Sequence, residues 1–71
     1  MLEKPTKRSM IIAGHATSIS LEPSFWAALS DMAAAHNKSL AGMIGEIDAR
    51  PRVGSLTSAL RVAVLNWVRE A

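Results

Sequence analysis

Polar and apolar positions change their period twice along this chain. Between Thr17 and Leu21 they alternate strictly, with Thr17, Ile19 and Leu21 on one side and Ser18 and Ser20 on the other. That is the period-two signature of a half-buried strand. The preceding run, Met10-Ile11-Ile12, is separated from it by Gly14-His15. Two arrangements fit. If Gly14-His15 is a two-residue turn, Ala13 faces Ala16, Ile12 faces Thr17 and Met10 faces Ile19, and the apolar sets of both strands share one side. If it is a bulge, one bent strand runs from about Met10 to Leu21 and must find its partner strand in another chain. The hairpin is self-consistent and slightly preferred, and the bulge stays open.

Beyond Leu21 the period lengthens to that of a helix. Pro23, with its fixed φ, and Ser24, with a capping hydroxyl, start a first helix that reaches about His36. Its stripe is Phe25, Leu29, Met32 and Ala33, widened by Trp26. Asn37 suits the left-handed conformation that ends a helix, and Ser39 caps a second one carrying Leu40, Met43, Ile44 and Ile47. Gly42 and Gly45 within it point to a tightly packed neighbour. Pro51 to Gly54 breaks that helix, and Ser55 or Thr57 caps a third that continues to about Arg69. Leu56, Leu60, Val64, Trp67 and Val68 form its main apolar face, whereas Val62 and Leu65 project beside Arg61 and Arg69. A helix apolar on two sides is expected to be covered twice, by its own chain and by a partner. The pattern is α+β and mostly helical: an N-terminal β-ribbon, hairpin or not, followed by three helices. Residues 1–7 (MLEKPTK) read as a flexible basic arm, and residues 8–71 as a single domain whose last helix covers about 56–70.

Composition limits what such a domain does. Ordering 71 residues costs on the order of 100 kcal/mol at about 1.5 per residue, which so short a chain rarely offsets alone. There is no cysteine, so disulfides and thiolate metal sites are excluded and a homodimer is the expected remedy. No apolar run approaches the roughly 18 residues that cross a bilayer. No membrane partner and a cytoplasmic location are therefore expected. Eight Lys and Arg against six Asp and Glu give a net charge of +2, which permits nucleic-acid binding. The placement says more, because Lys4, Lys7 and Arg8 cluster before the first apolar run. On the bland reading they solubilise an arm, and on the functional one they follow phosphates.

Catalytic chemistry has little to stand on. The glycines at 14, 42, 45 and 54 fit neither a P-loop nor a dinucleotide fingerprint, and no HExxH is present. His15 and His36 lack a third ligand, and Glu46 and Asp48 face different sides of a helix. No enzyme, cofactor or metal is expected. His36 reads as a helix-end residue meeting the last carbonyls, and His15 as a solvated turn residue or a contact to nucleic acid or partner.

The stretch Thr17-Ser-Ile-Ser-Leu-Glu-Pro-Ser-Phe-Trp26, followed by Leu29 and Met32, Asn37-Lys-Ser39 and Ile44, resembles the ribbon-helix-helix domain of the Arc repressor and methionine repressor class. The resemblance covers about residues 8–49. The whole chain, with LTSALRVAVL near its end, looks like a small bacterial branch with an added C-terminal helix. In that family two chains pair their strands into a ribbon that enters the major groove of double-stranded DNA. The resemblance implies a homodimer with Ile19, Leu21, Leu29 and Ile44 in the dimer core and Ala16, Ser18 and Ser20 at base edges. It further implies phosphate contacts from Ser39 and the backbone N–H groups of Leu40 and Ala41, joined by Lys4, Lys7 and Arg8. Members usually carry Arg, Lys, Asn or Gln on the outward strand face, and serines read bases less selectively. A small transcriptional regulator is the function expected. The alternative is an adaptor or antitoxin-like module in which Val62 and Leu65 meet another protein or the dimer mate.

Overall fold

The computed structural model describes residues 3–70, so Met1 and Leu2 of the expected arm and Ala71 of the expected domain lie outside the described residues. Strands β1 (Thr6–Ile12) and β2 (His15–Leu21) precede helices α1 (Pro23–Ala35), α2 (Leu40–Asp48) and α3 (Leu56–Glu70). The strands form an antiparallel hairpin within one chain. Its turn is Ala13-Gly14, not the expected Gly14-His15, and the register moves by two: Ile12 pairs with His15 and Met10 with Thr17. Ala13 has φ 50 and Gly14 φ 83, the two positive values that a tight turn matched to strand twist requires. Glycine thus occupies the second turn position, and His15 opens β2. Because the shift is even, each side chain keeps its side of the ribbon.

The arm is shorter than expected. Thr6 and Lys7 already lie in β1, and Glu3 accepts hydrogen bonds from Ser24 N (3.3 Å) and Ser24 Oγ (2.9 Å). That carboxylate meets the positive end of α1. Ser24 therefore does not cap the helix: Glu22 is the N-cap, its carbonyl accepting from Phe25 N and Trp26 N. At the other end Asn37 has φ 58. The amides of Asn37 and Lys38 return to the carbonyls of Ala34 and Ala33, which closes the helix in a Schellman motif. Ser39 then accepts from Gly42 N at 3.0 Å, and Ser55 from Ser58 N at 3.1 Å, each starting the next helix.

The hairpin lays one face on the three helices. Ile12, Ile19 and Leu21 from the ribbon meet Trp26, Leu29, Met32 and Ala33 of α1, Met43, Ile44 and Ile47 of α2, and Leu60 and Val64 of α3. Phe25, Leu40, Leu56 and Trp67 pack partly buried around them. Val68 departs from expectation: it is exposed, on the side of Val62 and Leu65 and not in the core. Trp26 ties the layers together, its indole N–H donating to the carbonyl of Thr6 at 2.9 Å.

Candidate nucleic-acid interface

Directly paired residues of an antiparallel ribbon share a face. Lys7 pairs with Ser20, Ser9 with Ser18 and Ile11 with Ala16, and all six are exposed on the side away from the helices. Ala16, Ser18 and Ser20, the residues singled out from the resemblance, thus stand together. Ser9 and Ile11, which no sequence motif singles out, complete the surface, and their parity places them with β2's outward residues in either hairpin register. The hydroxyls of Ser9 and Ser18 lie 3.1 Å apart. Ile11 keeps 63% of its surface exposed. Chemically the face offers three hydroxyls that donate or accept, an aliphatic patch of Ile11 and Ala16, and one ammonium at the edge.

The three arm cations are not equivalent. Lys7 belongs to the outward face, and Lys4 is exposed before the strand. Arg8 pairs with the core-facing Ile19 and points to the opposite side, its guanidinium 4.8 Å from the ring centre of Trp26. That contact is a cation–π interaction holding the ribbon margin to α1.

At the start of α2 the Ser39 hydroxyl is engaged by Gly42 N. Leu40 and Ala41 follow with partly buried side chains, and the first amides of a helix have no partner within it. Lys38, next to the cap, pairs with Glu46, which also meets Arg50 at 3.6 Å. His36 donates through Nδ1 to the Met32 carbonyl at 2.7 Å. His15 lies exposed at the head of β2.

The residues expected in a dimer core, Ile19, Leu21, Leu29 and Ile44, are buried by their own chain, none more than 2% exposed. Val62 and Leu65 lie on the uncovered side of α3. Nearby, Arg61 grips Glu22 across the molecule at 2.8 and 3.0 Å. The Glu22 carboxyl is held below the usual glutamate range, first by its own backbone N–H and then by Arg61.

Among the described residues no helix is long and apolar enough to cross a membrane. Compared with known families, residues 5–68 match the model of a ribbon-helix-helix domain. No curated protein and no solved structure matches the chain.

Proposed function

We propose, starting from a chain that belongs to the ribbon-helix-helix family, that it is a homodimeric bacterial DNA-binding protein acting as a small transcriptional regulator in the cytoplasm. The family is broadly one of DNA-binding regulators and antitoxin-type proteins. The observation that carries the reading is the outward ribbon face, where Lys7, Ser9, Ser18 and Ser20 surround Ile11 and Ala16. A two-stranded ribbon fits the major groove. There Ser9, Ser18 and Ser20 meet base edges, and Ile11 and Ala16 meet thymine methyls. Lys4 and Lys7 take phosphates beside the groove, and Ser39 with the amides of Leu40 and Ala41 takes one at the positive end of α2. Arg8, stacked on Trp26, is assigned to the fold and not to phosphate.

Selection from a random double-stranded DNA pool at physiological salt tests this reading. A short two-fold symmetric motif is the expected result. Ser20→Leu should then abolish enrichment of that motif while circular dichroism stays unchanged. Undiminished binding by this variant would remove the face from the mechanism.

A second reading has one observation in its favour. The outer side of α3 leaves Val62 and Leu65 about half exposed, at 53% and 52%, as an adaptor or antitoxin-like module would for a different protein. A pool that yields no motif and binding that vanishes with salt would favour it.

A further inference from the structure

Where α3 passes the C-terminal end of α2, two cavities of about 250 and 220 Å³ share Arg50, Ala63 and Asn66 in their walls, and no ribbon residue lines either. The periodicity of α3 builds this cleft. Ala59, Ala63, Asn66 and Glu70 stand four, three and four residues apart, which sets them in one stripe of the helix. The two alanines leave room that longer side chains would fill. The larger cavity is an aliphatic recess of Ile47, Pro51, Val53, Ala59 and Val62. The smaller brings His36 and Glu70 to Arg50 and Asn66.

Existing partners decide which polar groups are free to meet a ligand. Arg52, also at the recess, is committed to Asp48, donating to its carbonyl at 2.8 Å and meeting its carboxylate at 3.0 Å. Arg50 is held only by Glu46 at 3.6 Å, and Glu46 already pairs with Lys38. His36 donates through Nδ1 to Met32, so its Nε2 is an acceptor. Asn66 and Glu70 are exposed and, among the described residues, engage no side-chain hydrogen bond or ion pair. The cleft thus presents a guanidinium, a carboxamide and a carboxylate beside an apolar recess.

We propose that it binds a free α-amino acid with an aliphatic side chain. Arg50, at the junction of the cavities, takes the carboxylate, for which its planar fork is suited. Glu70 and His36 Nε2 take the ammonium, Asn66 donates to the carboxylate, and the side chain enters the recess. Charge of both signs selects the zwitterion. A plain carboxylate leaves Glu70 unpaired, and an amine leaves Arg50 unpaired. Size selects a small metabolite, since each cavity is below the roughly 300 Å³ at which pockets for drug-sized ligands begin. The polar groups are exposed, so the expected Kd is about 0.1–1 mM. The inference goes beyond the proposed function and does not depend on it.

NMR titration of the isotope-labelled full chain with L-leucine to about 20 mM tests the proposal. Saturable shifts are expected at the amides of Arg50, Ala63, Asn66 and Glu70. Isocaproate, which lacks the ammonium, isoamylamine, which lacks the carboxylate, and L-serine, which lacks the aliphatic chain, should each bind at least about tenfold more weakly. Glu70→Gln should weaken leucine at least about fivefold and leave isocaproate unchanged. Arg50→Gln should weaken both and spare isoamylamine. If Arg50→Gln disturbs the end of α2, judged by circular dichroism, the Glu70→Gln comparison decides alone. No saturable shift, isocaproate or serine binding as tightly as leucine, or a Glu70→Gln chain that binds leucine like wild type would overturn the proposal. No DNA is present in this experiment, and Ser20→Leu should bind leucine as wild type does, so failure of this site and failure of DNA recognition read out separately.

Discussion

Single side chains hold this small molecule together at points far apart in sequence. Trp26 is the clearest case: it is 2% exposed, donates to the Thr6 carbonyl and carries Arg8 on its ring. Trp26→Phe keeps an aromatic face for Arg8 but loses the hydrogen bond and part of the core volume. It should cost about 2 kcal/mol, measured as a lower urea midpoint with an unchanged slope. Glu22 makes a second link, from the N-cap of α1 to Arg61 of α3. Its carboxyl is held low by its own backbone N–H and by Arg61, so the folded state favours the ionised form. That contribution is fully present above the ordinary glutamate range and is lost as pH falls through it toward the lower folded value. Melting temperatures of wild type and Glu22→Gln should therefore differ near neutrality and converge on acidification. A gap that persists at low pH would mean that the charge is not what stabilises this junction.

Elements were legible where a local rule decides them and obscure where two rules tie. The alternation of Thr17 to Leu21, the left-handed Asn37 and the cap Ser39 all follow from chemistry within a few residues, and the structure has each of them; of the two caps open to the third helix, Ser55 and Thr57, it uses Ser55. The turn was not legible to the residue, because a glycine serves a tight hairpin at either central position, and Ala13 carries no left-handed preference to break the tie. Val68 departs from the apolar stripe for a related reason. It follows Val64 by one helical turn, yet at 3.6 residues per turn it lies about 80° around α3 from Leu60, on the margin of the core stripe. The site divides in the same way. Parity alone places Ser18 and Ser20 outward, whereas the capture of Arg8 by Trp26 and the tie between Glu3 and Ser24 depend on tertiary approach. The turn itself invites a test. Ala13 at φ 50 is a strained choice for a residue with a Cβ, and Ala13→Asn creates the Asn-Gly pair this geometry favours. It should raise stability by about 0.5–1 kcal/mol in urea titration with the ribbon register unchanged.

At the scale of the whole molecule, where the charges sit decides more than how many there are. A net charge of +2 is too small to specify a nucleic-acid partner, but the ribbon sorts its cations: Lys7 lies on the outward face and Arg8 on the face toward the helices. If the outward face enters a groove, Lys7 displaces a condensed counterion on binding and Arg8 does not. The slope of log K against log salt then falls by about 0.9 for each Lys7 lost per bound protomer. In a bound homodimer Lys7→Ala removes two such contacts and should flatten the slope by about 1.8, with little change in melting temperature. Arg8→Ala should leave the slope intact and lower stability, by about 0.5–1 kcal/mol for a cation–π contact at an exposed margin. Two adjacent cations of like charge would thus fail in different assays. If both substitutions flatten the slope equally, the basic segment acts as one diffuse patch, and the two faces of the ribbon do not divide the work between folding and binding.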